Sequence, residues 1–154
     1  MLEVCRDMDI VTKFMHLPEI YKYCAEFGAD KDTRFTHGNK EVWIKYIENG
    51  EFIGLINMHV MTGSMCQFHP YILKKYKAQY NRMVKDFFKW FDDNMQAEAV
   101  KLNAVIPSIY RSTIRAAYDV GMTREGIDRM SYRHKKRVLD RVLFGITRKE
   151  MNNG

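Results

Sequence analysis

The chain has 154 residues, 46% of them hydrophobic and 29% charged, a balance that suits one domain with its own core and excludes a disordered or fibrous chain. Its formal net charge of +6 is modestly basic, so an anionic ligand or partner is compatible with it and nucleic acid is not demanded. Cys5, Cys24 and Cys66 are odd in number and far apart, without a CxxC spacing, which excludes a disulfide framework and a cysteine zinc site and points to reduced thiols.

The opening residues, MLEVCRDMDIVTK, carry charges where a secretory signal needs an apolar stretch, and no apolar run reaches the ~20 residues that span a bilayer. The expectation is a cytoplasmic protein without a membrane partner, a single domain over residues 1–150 with a tail, MNNG, that frays. Residues 2–5 form a short candidate strand. Leu17, Ile20, Tyr21, Cys24 and Phe27 recur at helical spacing, with Pro18 suited to the first turn and Gly28 to the stop. The polar stretch ADKDTRFTHGNK has no period and reads as a loop. In EVWIKYIENGEFIGLINMHVM, two β-rich runs flank Asn49-Gly50, a strong local signal for a two-residue hairpin. Thr62-Gly63 then turns the chain into a third strand at 65–68, so residues 41–69 read as an antiparallel meander.

From residue 74 to about 94 the period becomes helical, and Tyr80, Val84, Phe87, Phe88 and Phe91 share one apolar face, as packing against a sheet requires. EAVKLNAVIP, 98–107, reads as a strand ended by proline. Ser108 is placed to cap a short helix through Val120, with Gly121 at its end. The runs 122–132 and 137–147 are β-like, with Arg133-His134-Lys135-Lys136 as a charged turn between them. The order β-α-loop-β-β-β-α-β-α-β-β describes an α+β, or mixed α/β, domain with helices on the faces of its sheet.

That order, together with IPSIYRSTIRAAYDVGMTREGIDRM at 106–130, resembles the GNAT superfamily of acyl-CoA-dependent N-acetyltransferases. The segment looks like the family's late strand ending in proline, then a short helix, then a Gly-Phe pair and Glu-Gly; Gly121-Met122 and Glu125-Gly126 stand in those places. The resemblance covers residues 40–147 well and 1–39 weakly. The overall texture, the QFHP segment included, is also similar to small acetyltransferase-like proteins of tailed bacteriophages.

The resemblance implies an acyl-CoA N-acyltransferase fold, a mostly antiparallel sheet splayed in the middle with helices on both faces. It implies acetyl-CoA as co-substrate and an amine of a protein or small molecule as acceptor, with a host or virion protein as the leading partner class. Strand 65–68 is expected to part from 100–105, and the amide-bearing arm of coenzyme A to pair with the exposed edge. Backbone N–H groups at the start of the long helix are expected to hold the diphosphate. A backbone N–H near the strand end would stabilise the oxyanion, and a base and an acid would handle the protons.

Carried onto this chain, the acyl-CoA contacts fall on the backbone of Gln67, Phe68 and His69, on Lys74, Lys75, Lys77 and Ala78, and on Tyr110 and Thr113 of the late helix. The family's phosphate loop reads Q/R-x-x-G-x-G/A, whereas ILKKYKAQYN puts Leu73, Tyr76 and Ala78, or one residue on, Lys74, Lys77 and Gln79, at its key places. Neither register supplies the first glycine, which lets backbone approach a diphosphate closely. The lysines can offset that loss, or they are a solvated basic turn. Tyr110 and Thr113 stand where the family commonly has asparagine and serine. The family's acid, a tyrosine four residues before the glycine, is replaced by Ala117. Its neighbour Tyr118, turned by ~100° on a helix, is either an acid or a ring packed on the sheet. No glutamate lies on 65–68, so the base falls to His69 or His59, each of which can equally be a structural histidine. These departures leave an alternative, a binding module that keeps the fold without turnover. The basic turn at 133–137 has no nucleic-acid motif beside it and reads as a solvated hairpin tip, so a nucleic-acid partner is not expected. No metal site is expected, and the oligomeric state stays open.

Overall fold

Asn49 and Gly50, with φ of 51° and 80°, close a two-residue turn between strands β2 (Glu41–Glu48) and β3 (Glu51–Val60). The turn is the left-handed pair that matches strand twist, and it sets the register of the meander that continues into β4 (Met65–Ile72). The computed structural model describes residues 1–24, 34–36 and 38–153. Among these, β1 (Leu2–Val4), β5 (Lys101–Pro107), β6 (Thr123–His134) and β7 (Arg137–Thr147) complete one seven-stranded sheet in the order β1-β2-β3-β4-β5-β7-β6. Every neighbouring pair is antiparallel except β4 with β5.

Helix α3 (Tyr80–Asn94) lays Met83, Val84, Phe87, Phe88 and Phe91 on one face of the sheet, against Ile44, Met58 and Phe68. Phe68 and Phe87 have ring centroids 5.2 Å apart. Each such fully buried side chain contributes about 1.5–3 kcal/mol, which makes this face the main source of stability. Helix α4 (Arg111–Asp119) joins the same core through Ala117, and Gly121, with φ of 91°, turns the chain from α4 into β6. On the other face, α1 (Met8–Met15) and α2 (Pro18–Cys24) cover a smaller cluster around Trp43 and Leu55.

Several local features differ from the sequence reading. Helix α1 was not expected; Asp7 caps it by accepting from the N–H groups of Asp9 (2.9 Å) and Ile10 (3.3 Å), and Val11, Phe14 and Met15 form its buried stripe. Strand β4 does not stop near Phe68 but runs through Pro70 to Ile72. The long helix starts at Tyr80, after a 3₁₀ segment, Lys74–Gln79. Ser108 does not cap α4; its N–H donates to Asp140 (2.9 Å), and Tyr110 holds the cap position. Met151 and Asn152, expected to fray, belong to α5 (Arg148–Asn152), which Thr147 and Glu150 cap reciprocally. Phe27, Gly28 and most of the expected loop lie outside the described residues. No helix among the described residues is long and apolar enough to cross a membrane.

Candidate active site

The parallel pairing of β4 with β5 covers Met65↔Lys101, Cys66↔Leu102 and Gln67↔Asn103, then stops. Met61 N–H donates to Met65 (2.9 Å) and Leu73 N–H to Ile53 (3.0 Å), so odd-numbered residues of β4 bond β3 and even-numbered ones turn toward β5. On β5, Ser108 N–H donates to Asp140 and Arg148 N–H to Val100 (2.8 Å), which gives the even-numbered residues to β7 and the odd ones to β4. Continued in the same register, the ladder would need Pro70 to donate to Val105, and Pro107 to donate to Pro70. Neither proline has an N–H. Those two bonds cannot form, and the ladder ends one step before them, with Val105 N–H left facing the Phe68 carbonyl; the sheet parts between Phe68–Ile72 of β4 and the end of β5. The gap opens one strand turn later than the sequence reading placed it.

The parting is a cleft of about 540 Å³ that crosses the sheet, bounded by Glu19 and Tyr23 of α2 on one side and by Tyr110 and Thr113 on the other. Beyond the last pair, the carbonyls of Phe68 and Pro70 and the Ile72 peptide face the Val105 peptide and the Pro107 carbonyl across it. Lys74 and Lys77 stand at its mouth. They lie three residues apart on a 3₁₀ segment that is kinked at Tyr76. Unpaired edges, a length of enclosed apolar wall and two lysines fit an extended amide-bearing chain that ends in phosphates.

The structure gathers some of the expected residues and scatters others. Phe68, His69, Lys74, Lys77, Tyr110 and Thr113 line the cleft. Gln67 does not; it occupies the last paired position, and its Nε2 lies 2.9 Å from His69 Nε2. Lys75 turns away to Glu51 (2.5 Å) and sits over the Tyr76 ring, and with Tyr76 it holds the Glu51 carboxyl below its usual range. Ala78 is not on the cleft wall. Tyr118 is also outside it: the helix phase set by Tyr110 at the cap turns this ring outward, edge-on to Phe144 at 5.0 Å. His59 faces His69, ring centroids 6.0 Å apart, and reaches toward Glu41 (3.4 Å) rather than into the cleft.

The electrostatics sort the candidates further. Burial, reinforced by His59 and Arg141, pushes the His69 imidazole down to about 4. It is neutral near pH 7, and because an amide nitrogen donates, its Nε2 accepts from Gln67. A ring so weakly basic takes a proton from an ammonium poorly, so His69 is suited to positioning through its remaining N–H. Tyr110 stays protonated: burial, and then the Tyr132 hydroxyl 3.1 Å away, raise its pKa, so it is a hydrogen-bond donor and a reluctant acid. Sequence reasoning gave Tyr110 a ligand contact and missed that capacity. It also missed Glu19, whose Oε2 accepts from Lys74 N–H at 2.6 Å, at the start of the 3₁₀ segment. No sequence signal connects α2 to residue 74; the contact exists only in the fold. Among the described residues no group of three or more metal-ligating side chains comes together.

A sheet parted after Gln67, with α3 and α4 on one face and α1 and α2 on the other, defines the GNAT acyl-CoA N-acyltransferase fold. Solved structures agree. A spermidine N-acetyltransferase from Vibrio cholerae, in complex with CoA and spermine, superposes with a TM-score of 0.82 over 99% of this chain and 98% of its own, at 14% identity. A GNAT-family acetyltransferase from Streptococcus pneumoniae gives 0.71 over 96% and 98% at 12% identity. The ribosomal-protein-S18-alanine N-acetyltransferase from Escherichia coli gives 0.69 over 96% and 92% at 9% identity. No protein-family model matches the chain, and no curated protein matches it in sequence. At these identities the likeness is one of fold.

Proposed function

We propose that the chain is an N-acetyltransferase that moves an acetyl group from acetyl-CoA to an amine of a small molecule or a protein. The observation that carries this reading is the gap between β4 and β5, with unpaired peptide groups on both walls and Lys74 and Lys77 at its mouth. The neighbour that binds CoA and spermine supports an amine acceptor. A host or virion protein is the acceptor class that the bacteriophage resemblance adds.

Acetyl-CoA supplies an activated thioester. The rest falls to the chain. The strand edges align an amide-bearing arm by strand addition, and the two lysines meet its phosphates. Val105 is the first β5 residue beyond the last pair whose N–H faces the cleft, and it can donate to an oxyanion there. The amine nitrogen forms the new C–N bond as the C–S bond breaks. The Tyr110 hydroxyl can donate a hydrogen bond to the leaving sulfur, while water takes the proton of the amine and returns one to the thiolate.

A thermal-shift series with CoA tests the first half: ligand at 100 times its Kd raises stability by ~2.7 kcal/mol. Release of free thiol from acetyl-CoA, followed over a panel of amines that includes spermine and peptides with free N-termini, tests the second. No shift at millimolar CoA would overturn the reading. A shift without thiol release with any amine would favour the second reading, a GNAT-fold binding module without turnover. That reading is supported by the low basicity of His69 and by the Glu19 carboxylate on Lys74 N–H.

A further inference from the structure

Tyr118 points away from the cleft into an arginine-rich face. On α4, Arg111, Arg115 and Tyr118 follow one another at four and three residues, so they form one exposed stripe, while Ala117 on the other side is buried. The Tyr118 ring is held by Phe144 and still 51% exposed. Phe144 pairs with Arg124 across the β7–β6 ribbon, and the same side of that ribbon carries Ile127, opposite Val142, and Arg133, opposite Val138. Ile127 is 48% exposed. Helix α4 runs against β6: Tyr110 at its start touches Tyr132 near the strand's end, whereas Tyr118 lies toward Arg124. Strand β6 is the last of the sheet, so its outer flank is open.

The arginines of this face are unpaired. Among the described residues, Arg111, Arg115, Arg124, Arg129 and Arg133 have no carboxylate within ion-pair distance. The hairpin's own acids are engaged: Glu125 by Lys101 (2.6 Å), Asp128 by Arg141 (2.7 Å) and Asp140 by Met130 N–H (2.9 Å). Asp119 is the one carboxylate on α4.

We infer that the α4–β6 face binds single-stranded nucleic acid, its arginines on the phosphates and Tyr118 stacked on a base. Guanidinium forks match phosphate oxygens in pairs, and this face uses arginine throughout. From Arg124 to Arg133, opposite Phe144 to Val138, the ribbon extends roughly 20 Å, room for about three nucleotides. A held, exposed tyrosine between cations is the stacking platform that single strands use. A duplex hides the faces of its bases and would leave Tyr118 and Ile127 unused. An acidic peptide would meet the arginines and offer Tyr118 no flat partner. This surface is separate from the cleft, so it stands or falls independently of the transferase reading.

The test is fluorescence anisotropy of labelled oligouridylate and oligothymidylate with the full chain. With four phosphates neutralised, the slope of log K against log salt is about −2.8, so raising salt from about 50 to 200 mM weakens binding roughly fiftyfold. Tyr118→Ala weakens binding about tenfold and leaves the slope unchanged. Arg115→Ala with Arg124→Ala lowers the slope by about 1.4. Lys135→Ala with Lys136→Ala, at the hairpin tip, leaves affinity within about twofold. Circular dichroism confirms that each variant is folded. Absence of binding at low salt, equal displacement by polyglutamate, or full affinity in folded Tyr118→Ala would each overturn the inference.

Discussion

With CoA bound as proposed, the Glu19 carboxylate stands beside the incoming phosphates, and removing its charge has a calculable effect. Its Oε2 accepts from Lys74 N–H at 2.6 Å, and Lys74 and Lys77 line the same mouth. In Glu19→Gln the amide oxygen still accepts from Lys74 N–H, so α2 keeps its dock and only the charge is lost. A carboxylate about 6 Å from a phosphate repels it by roughly 0.7 kcal/mol at the dielectric of water and by about 2.8 kcal/mol at an effective value near 20. The mouth is open to solvent, so a value of about 1 kcal/mol is expected, or roughly a fivefold lower Kd for CoA. Isothermal titration calorimetry with CoA and with pantetheine reads this directly. CoA carries the phosphates and pantetheine does not, so the variant should tighten CoA alone, and the gain should shrink as salt is added. An unchanged or weaker CoA affinity, or an equal gain for pantetheine, would refute the idea that Glu19 competes with phosphate.

Three further outcomes follow from other contacts. Arg148 donates to the carbonyls of Ala99 (3.2 Å), Met95 and Gln96 (both 3.1 Å), ion-pairs with Asp92 (3.3 Å) and lies over the Phe91 ring, so it ties β7 to the end of α3. Arg148→Ala should cost about 2–3 kcal/mol and lower Tm by roughly 5–10 °C; a shift within 1–2 °C would show the clasp to be passive. Pro70→Ala with Pro107→Ala restores both missing donors, and closure of the ladder would add about 1 kcal/mol per bond while excluding CoA. Undiminished CoA binding by that variant would mean that helix packing, rather than the prolines, keeps the strands apart. His69 is held neutral, with a pKa of about 4 against an ordinary 6.5, so the unfolded chain takes up its proton first as pH falls. Its contribution is complete above pH 6.5 and is lost between 6.5 and 4. The full shift corresponds to about 3 kcal/mol, and solvent contact at the ring reduces this to roughly 1–2 kcal/mol. Urea midpoints of His69→Gln should therefore fall less steeply over that window, and parallel curves would remove His69 from the account.

What the sequence made legible was local or periodic. Asn49-Gly50 dictates its turn by itself, and the aromatic repeat of α3 states which face is buried. Lys74, Lys75 and Lys77 were indistinguishable as letters, because Glu51, which draws Lys75 away, meets it only in the fold, and nothing in ILKKYKAQYN announces a kinked 3₁₀ segment. Tyr118 stayed between two readings, and Tyr110 a contact without a geometry, for a related reason. Counting back from Gly121 fixed their spacing but not the side of α4 that meets the sheet, and that side is set by Tyr110 at the cap. Helix α1 hid behind its charges, although Asp7 followed by Val11, Phe14 and Met15 is a cap and a stripe.

The cleft itself was half visible, and the visible half explains why it exists. Pro70 and Pro107 each read as the end of a strand, since proline donates nothing to a ladder. Both instead lie within strands, and both direct the missing N–H toward the same gap. In a parallel ladder with residue 66 opposite 102, position 70 donates to 105 and accepts from 107. The two prolines stand 37 positions apart, which is the spacing that removes both bonds made by one residue. Either alone would leave one bond and a weakened seam. Together they leave a stretch of sheet in which two strands keep their outer partners, β3 and β7, and lose two adjoining bonds to each other. Such a pair of edges, held by neighbours and unpaired toward one another beyond residues 65–67, invites an extended chain with its own amides. The opening is thus favoured by what two residues lack, a signal that becomes readable only once the register between distant strands is known.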